Sequence, residues 1–246
     1  MKKIDLVTFF DNVGYDWKKD AELIKQICYL TKSRVNHSKV EFEFGHGMEQ
    51  PFLVKAVAEW QKSDTFFEMG TGRGTACYSV SLLNSVERID TIDIVPFDFR
   101  RNEAIGYEQA FVSNKDLYEM IPFVEKSKIN FHQRTDLGRM LSSPNDGYDL
   151  FFVDGNHSDA GIISEDFIIC KSFSRDNSIV IWDDYDPEKY AVRGVIESVL
   201  EKNPDYDALL VESRGHLFGE KSPERNAGMV LMKKGNFDED IFAKSQ

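Results

Sequence analysis

The sequence predicts a doubly wound α/β fold: a mostly parallel sheet of seven strands with helices on both faces and an antiparallel hairpin at its carboxyl end. Three observations lead to this. From residue 65 onward, short apolar runs of strand length alternate with longer helix-like segments. The first run stops at a glycine-rich turn, Gly70-Thr71-Gly72-Arg73-Gly74. The last two runs have only a loop between them, so they should pair antiparallel rather than through a helical crossover.

The elements follow in order. Met1-Lys2-Lys3 opens the chain, but the apolar stretch after it is broken by Asp5 and Asp11, so no secretory signal is read there. Between Trp17 and Lys32, Ala21, Leu23, Ile24, Ile27, Cys28 and Leu30 recur at helical spacing and predict an amphipathic helix. Ser33 to Met48 is polar and turn-like. Glu49 to Gln61 reads as a second helix, with Pro51 in its first turn. Strands are expected at Thr65–Met69, Arg88–Asp93, Lys128–Gln133, Tyr148–Asp154, Ser178–Asp183, Ala208–Ser213 and Gly228–Lys233. Helices are expected near Ala76–Leu83, Glu103–Met120, Ile162–Phe173 and Tyr190–Lys202. Residues 1–48 form a helical cap that is not independent, and residues 49–246 form the main domain.

Composition narrows the function classes. A chain of 246 residues, 41% hydrophobic and 13% aromatic, fits a soluble globular protein. Its net charge of −12 weighs against a nucleic-acid partner, whose phosphates are bound by Lys and Arg. No run approaches the about 20 apolar residues of a membrane span. Cys28, Cys77 and Cys170 lie far apart with no C-x-x-C, which suggests small buried residues in a reducing cytoplasm.

The glycine turn names the ligand class. Glycine allows positive φ and lets a ligand approach the backbone closely, and the carboxyl end of a first parallel strand is where open α/β sheets bind nucleotides. A dinucleotide turn reads G-x-G-x-x-G; here the third glycine comes one residue early and Thr75 takes its usual place. Glu68, two residues before Gly70, would repel a pyrophosphate but suits a cationic amino group. Asp93, at the end of a strand, can accept both ribose hydroxyl protons with either cofactor.

The pattern acid-x-G-x-G-x-G resembles motif I of the class I methyltransferases that use S-adenosylmethionine (SAM). The resemblance covers roughly Glu49 to Lys233 and implies a Rossmann-like sheet. It also implies that Glu68, Gly70, Thr71, Gly72, Gly74 and Asp93 hold SAM, and that Asp136 meets the adenine amino group. Gly47-Met48-Glu49-Gln50 resembles a segment of the catechol-type O-methyltransferases, implying that Met48, and more loosely Gln50, line the methionine part of SAM.

Two apolar runs stop at acids: Leu150-Phe151-Phe152-Val153-Asp154-Gly155-Asn156-His157 and Ile179-Val180-Ile181-Trp182-Asp183-Asp184. If these strands are neighbours, about 4.8 Å apart, Asp154 can converge with Asp183 or Asp184. Like charges that close call for a proton or a cation, and an oxygen set suits Mg²⁺. The arrangement resembles the metal-dependent O-methyltransferases of the catechol and caffeoyl type, and the sugar O-methyltransferase and cephalosporin-hydroxylase-like group. That resemblance implies Asp154, Asp183 and Asp184 as metal ligands, with Asp184 standing where the catechol type usually has Asn. His157 stands where that type has a lysine base, and an imidazole can take a proton at neutral pH. Asn156 can orient a ligand.

The implied activity is O-methylation of a small-molecule phenol, catechol or sugar-like diol. Aromatic residues of the cap (Tyr15, Trp17, Phe42, Phe44) and a loop with Arg214, His216 and Phe218 are where the acceptor would be chosen. A homodimer is compatible with such folds, though no segment locates an interface. Three alternatives stay open: a metal-independent methyltransferase with the acids as helix caps, a nicotinamide-dependent oxidoreductase on the same sheet, and a binding protein without catalysis.

Overall fold

The structure, a computed structural model, describes residues 1–32, 49–100, 112–142, 147–186, 190–213, 217 and 228–243. Its elements are β1 (Lys2–Asp5), α1 (Leu6–Val13), α2 (Trp17–Lys32), α3 (Gln50–Gln61), β2 (Thr65–Met69), α4 (Thr75–Ser81) and β3 (Arg88–Asp93). There follow α5 (Asn114–Met120), β4 (Ile129–Gln133), α6 (Leu137–Ser142), β5 (Tyr148–Val153), α7 (Ala160–Phe173) and β6 (Ser174–Tyr185). The chain continues through α8 (Val192–Lys202), β7 (Tyr206–Glu212), β8 (Gly228–Lys234) and the short α9 (Asp240–Ala243).

One sheet holds every strand among the described residues, in the order β1-β7-β8-β6-β5-β2-β3-β4. The run from β6 to β4 is parallel. Strand β8 is antiparallel to both β6 and β7, as expected for the last two strands. Strand β2 lies between β5 and β3, so the connections diverge there and leave a crevice at the carboxyl ends of the strands. That is where sheets of this kind take ligands.

The sheet has eight strands where the sequence predicts seven. The additional strand is β1, inside the segment read as a helical cap. It pairs in parallel with β7, from Lys2↔Leu209 to Asp5↔Glu212. A strand of four residues with a single buried apolar side chain, Ile4, carries almost no period-two signal. Lys2 and Lys3 are exposed at the sheet edge, where lysine discourages pairing with another chain. Asp5 then caps α1, accepting from the N–H groups of Val7 (3.0 Å) and Thr8 (3.2 Å).

A second correction concerns the helix expected over Glu103–Met120. Only α5 is seen within it. Its start is set by a reciprocal cap: the Ser113 hydroxyl accepts from Asp116 N (3.2 Å), and the Asp116 carboxylate accepts from Ser113 N (2.8 Å). Residues 103–111 lie outside the described residues.

Strand alternation divides the core between the two faces. Phe66, Ile89, Leu150 and Ile181 face the layer of α1 to α4, packing with Phe9, Ile24, Phe52 and Tyr78. Phe67, Ile92, Phe151 and Trp182 face the other way, onto Phe167 and Phe173 of α7 and Ile196 of α8. Helix α3 is buried from Pro51 to Ala58, which accounts for its nearly continuous apolar sequence.

Two aromatic residues read as selectors of the acceptor belong to this packing instead. Tyr15 packs edge-on against Phe10 at 5.0 Å, and its hydroxyl donates to Asp20 at 2.7 Å. Trp17 packs edge-on against Phe52 at 6.2 Å. Phe42, Phe44, Arg214, His216 and Phe218 lie outside the described residues. No helix among the described residues is long and apolar enough to cross a membrane, and Cys28, Cys77 and Cys170 are buried.

Candidate active site

Strand β2 ends at Met69, and the glycine turn leads from it into α4. Gly70, Gly72 and Gly74 all have positive φ, at +94°, +50° and +75°. At Gly70 packing adds a second requirement: a Cβ there would lie 2.2 Å from the Asp154 carbonyl oxygen. At Gly72 a Cβ would meet nothing within 4 Å, because its Cα faces the open crevice. Gly70 is therefore needed to seat the turn on β5, and Gly72 leaves its outer side clear. The Asp154 N–H donates to Met69 O at 2.8 Å and ties the two strand ends together.

Glu68 sits behind this turn. It is 1% exposed, and the Thr91 hydroxyl donates to its Oε2 at 2.6 Å. The Thr71 hydroxyl lies 2.7 Å from that of Thr91 and extends the chain to the turn. Burial pushes the Glu68 carboxyl up to about 8, against the pull of its hydrogen bond from Thr91. The side chain supports the turn from below and does not line the crevice.

In front of the turn lies a cleft. Gly72, Arg73 and Asp93 form its polar wall, and Val95, Pro96 and Phe99 its apolar one. Thr31, from the end of α2, reaches the same cleft. The two oxygens of Asp93 accept from Gly72 N (3.0 Å) and Val95 N (2.9 Å). Each carboxylate oxygen keeps a further lone pair, so Asp93 can accept two ribose hydroxyls without giving up the turn. Replacing Asp93 by Ala is expected to weaken binding of S-adenosylhomocysteine (SAH) about 100-fold, since hydrogen bonds to a charged acceptor are each worth about 1.5–3 kcal/mol. Titration calorimetry checks this, and a near-unchanged Kd would separate Asp93 from the ribose. Asp136 does not line the cleft: it accepts from Gln133 N at 3.0 Å and pairs with Arg139 at 3.2 Å. Met48 lies outside the described residues.

The acids gather at the ends of β5 and β6. Successive strand residues point to opposite faces, so a regular β6 would separate Asp183 from Asp184. The β6–β8 register shifts between Trp182 and Tyr185, and Asp184 has φ +53°. This bulge breaks the alternation and brings both carboxyls towards Asp154. The carboxyls of Asp154 and Asp183 are within hydrogen-bonding reach of each other.

His157 joins this group. Its Nδ1 is 3.0 Å from Asp184 Oδ2, and its Nε2 is 3.8 Å from Asp154 Oδ1. One ligand atom each from Asp154, His157 and Asp184 lie within 4.8 Å of one another. Asp183 is set deeper, 7% exposed, and accepts a hydrogen bond from Gln50 Nε2 at the start of α3. Asn156 is used in the loop, its side-chain oxygen accepting from Ser158 N (2.9 Å) and Asp159 N (2.7 Å). The loop is held from outside: His157 O accepts from Ala191 N at 2.8 Å, and the Tyr190 ring lies 5.3 Å from the imidazole.

Acidic groups crowd together in this cluster. Burial, then the charges of Asp183, Asp184 and Glu68, raise the Asp154 carboxyl well above the usual carboxylate range, although 28% of its side chain is still exposed. Burial and the Asp184 charge push Asp183 up to about 7. Converging oxygens that resist ionisation together, with an imidazole beside them, fit a hard divalent cation. Gln50, Asp183 and His157 each carry a sequence signal, but the Gln50–Asp183 contact does not, and Tyr190 belongs to no recognisable motif.

Residues 67–185 match the family model described as a methyltransferase domain. No curated protein matches the chain. Solved structures with the same fold include the O-methyltransferase TomG from Streptomyces achromogenes, involved in tomaymycin synthesis and solved with SAM. It is 16% identical, with 90% of this chain and 96% of that one covered at a TM-score of 0.59. The O-methyltransferase of Bacillus cereus, solved with SAH, is 12% identical, with 87% and 90% covered and a TM-score of 0.53. The SAH-bound methyltransferase PaMTH1 of Podospora anserina is 13% identical, with 87% and 88% covered and a TM-score of 0.55.

Proposed function

We propose that this chain, whose residues 67–185 match a methyltransferase-domain family model, transfers the methyl group of SAM to a hydroxyl oxygen of a small molecule, assisted by a divalent cation. The observation that carries the proposal is the contact between Gly70 and the Asp154 backbone. It puts a turn suited to SAM directly against an acidic cluster suited to a metal. In this reading Asp93 and the turn from Gly70 to Gly74 hold SAM, and Glu68 acts from beneath. Met48 is assigned to the methionine part by resemblance, and Asp136, which stands outside the residues lining the cleft, is assigned to the adenine by resemblance alone. Residues 1–48 serve as a cap on the domain formed by 49–246.

Asp154 and Asp184 would hold the cation, and Asp183 completes the oxygen set. A divalent cation supplies positive charge there that lowers the pKa of an acceptor hydroxyl. His157 then has the role of base. With its Nδ1–H donated to Asp184 at 3.0 Å, the neutral ring keeps Nε2 as the proton acceptor. The turn and the cluster hold methyl donor and hydroxyl close together, which supplies much of the acceleration. Phenols, catechols and sugar-like diols are the acceptors this chemistry suits.

The test is a titration of Mn²⁺ or Mg²⁺ into chelator-stripped protein saturated with SAH, at pH 6 and pH 8. Metal binding needs ionised carboxylates, and burial and the Asp184 charge push Asp183 up to about 7. One saturable site is expected, about tenfold tighter at pH 8. SAH binding with no metal site would leave a metal-independent methyltransferase. Absence of SAH binding would reject the methyltransferase reading altogether.

A further inference from the structure

We infer that Arg73 is a positioning residue for the methyl donor: it locks the end of helix α2 onto the glycine turn, so that the N-terminal cap completes the wall of the cofactor cleft. The inference rests on the cleft being the SAM site proposed above.

Arg73 occupies the middle of Gly72-Arg73-Gly74, yet it is only 9% exposed. An arginine between two turn glycines would ordinarily extend into water. Here its Nη1 donates to Thr31 O at 3.1 Å. Thr31 lies in the last turn of α2, where carbonyls have no partner within the helix. A cation at that end also meets the negative pole of the helix.

A second contact fixes the same junction from the other side of Gly74. The Thr31 hydroxyl, buried and donating to Ile27 O at 2.9 Å, lies 3.3 Å from the Thr75 hydroxyl at the start of α4. Thr31 and Arg73 line the same cleft as Gly72 and Asp93. The position of the turn thus depends on a residue 42 positions earlier in the chain, in a helix outside the matched methyltransferase domain. Asp93 holds the turn from the sheet side through Gly72 N, and Arg73 holds it from the cap side.

The experiment is titration calorimetry of SAH into the full-length protein and two variants. Arg73→Met keeps the aliphatic stem and removes the donors, and Arg73→Lys keeps the charge and one hydrogen-bonding head. Arg73→Met is expected to raise the SAH Kd at least about tenfold at a stoichiometry near one, with Arg73→Lys recovering most of the loss. A Kd unchanged in Arg73→Met overturns the inference. So does a reduced stoichiometry with unchanged Kd, which would mean that Arg73 only helps the chain to fold. If the unaltered protein binds no SAH, it is the underlying SAM reading that fails, before Arg73 is tested.

Discussion

Asp154→Asn is expected to lower kcat/KM for metal-supported methyl transfer about a thousandfold, or about 4 kcal/mol, while SAH binds within about threefold of its original affinity. The two effects separate because the residue has two halves. Its backbone seats the glycine turn, with Asp154 N donating to Met69 O and Asp154 O lying against Gly70. Asparagine keeps that backbone. Its side chain faces Asp183, Asp184 and His157, and removing its charge takes away a cation ligand.

The same substitution should stabilise the metal-free protein. Carboxyls raised in the folded state contribute stability that is present below their ordinary range and lost as pH rises through the folded value. Asp183 is raised to about 7, so at pH 8 it is ionised at a cost in the metal-free protein. Asn in place of Asp154 removes a carboxyl that must either carry charge beside Asp183 and Asp184 or hold its proton against the pH. A rise in Tm on the order of 5 °C at pH 8, shrinking towards pH 5, is the expected result for chelator-stripped protein. Equal loss of turnover and SAH affinity, or a fall in Tm, would contradict this division of roles.

Gly70→Ala is expected to have the opposite character: a loss of stability of roughly 3–5 kcal/mol and loss of SAH binding together. A side chain at φ +94° is strained, and its Cβ would meet the Asp154 carbonyl at 2.2 Å. The backbone cannot yield by turning a side chain away, because the obstacle is another strand of the sheet. Chemical denaturation of both forms measures the effect. A variant of near-native stability would show that the turn and β5 can separate. Gly72→Ala, where a Cβ meets open space, should cost far less stability and chiefly affect the ligand.

The seven expected strands all occur, with β2 and β3 at their predicted bounds. Their legibility follows from burial on both faces: runs such as Phe66-Phe67 and Leu150-Phe151-Phe152-Val153 have to be apolar whatever surrounds them. The glycine turn was equally visible, since positive φ at three alternate positions is a local demand on residue type. Convergence of the β5 and β6 acids could be anticipated only if those strands were neighbours. The sheet makes them so, but pairing order is decided by packing over the whole chain.

The alternation of strands and helices, the turn, and the residue types at the strand ends are local requirements of backbone geometry and burial, and so are legible along the chain. Contacts between distant segments come from packing alone. Strand β1 exists because β7 has an open edge for it, not because Lys2-Lys3-Ile4-Asp5 prefers to be a strand. The bulge at Asp183-Asp184, the Gln50–Asp183 hydrogen bond and the Arg73–Thr31 tie were likewise unreadable. Each depends on where a second segment lies in space, and a polar side chain finds its partner by that distance and not by its spacing in the chain.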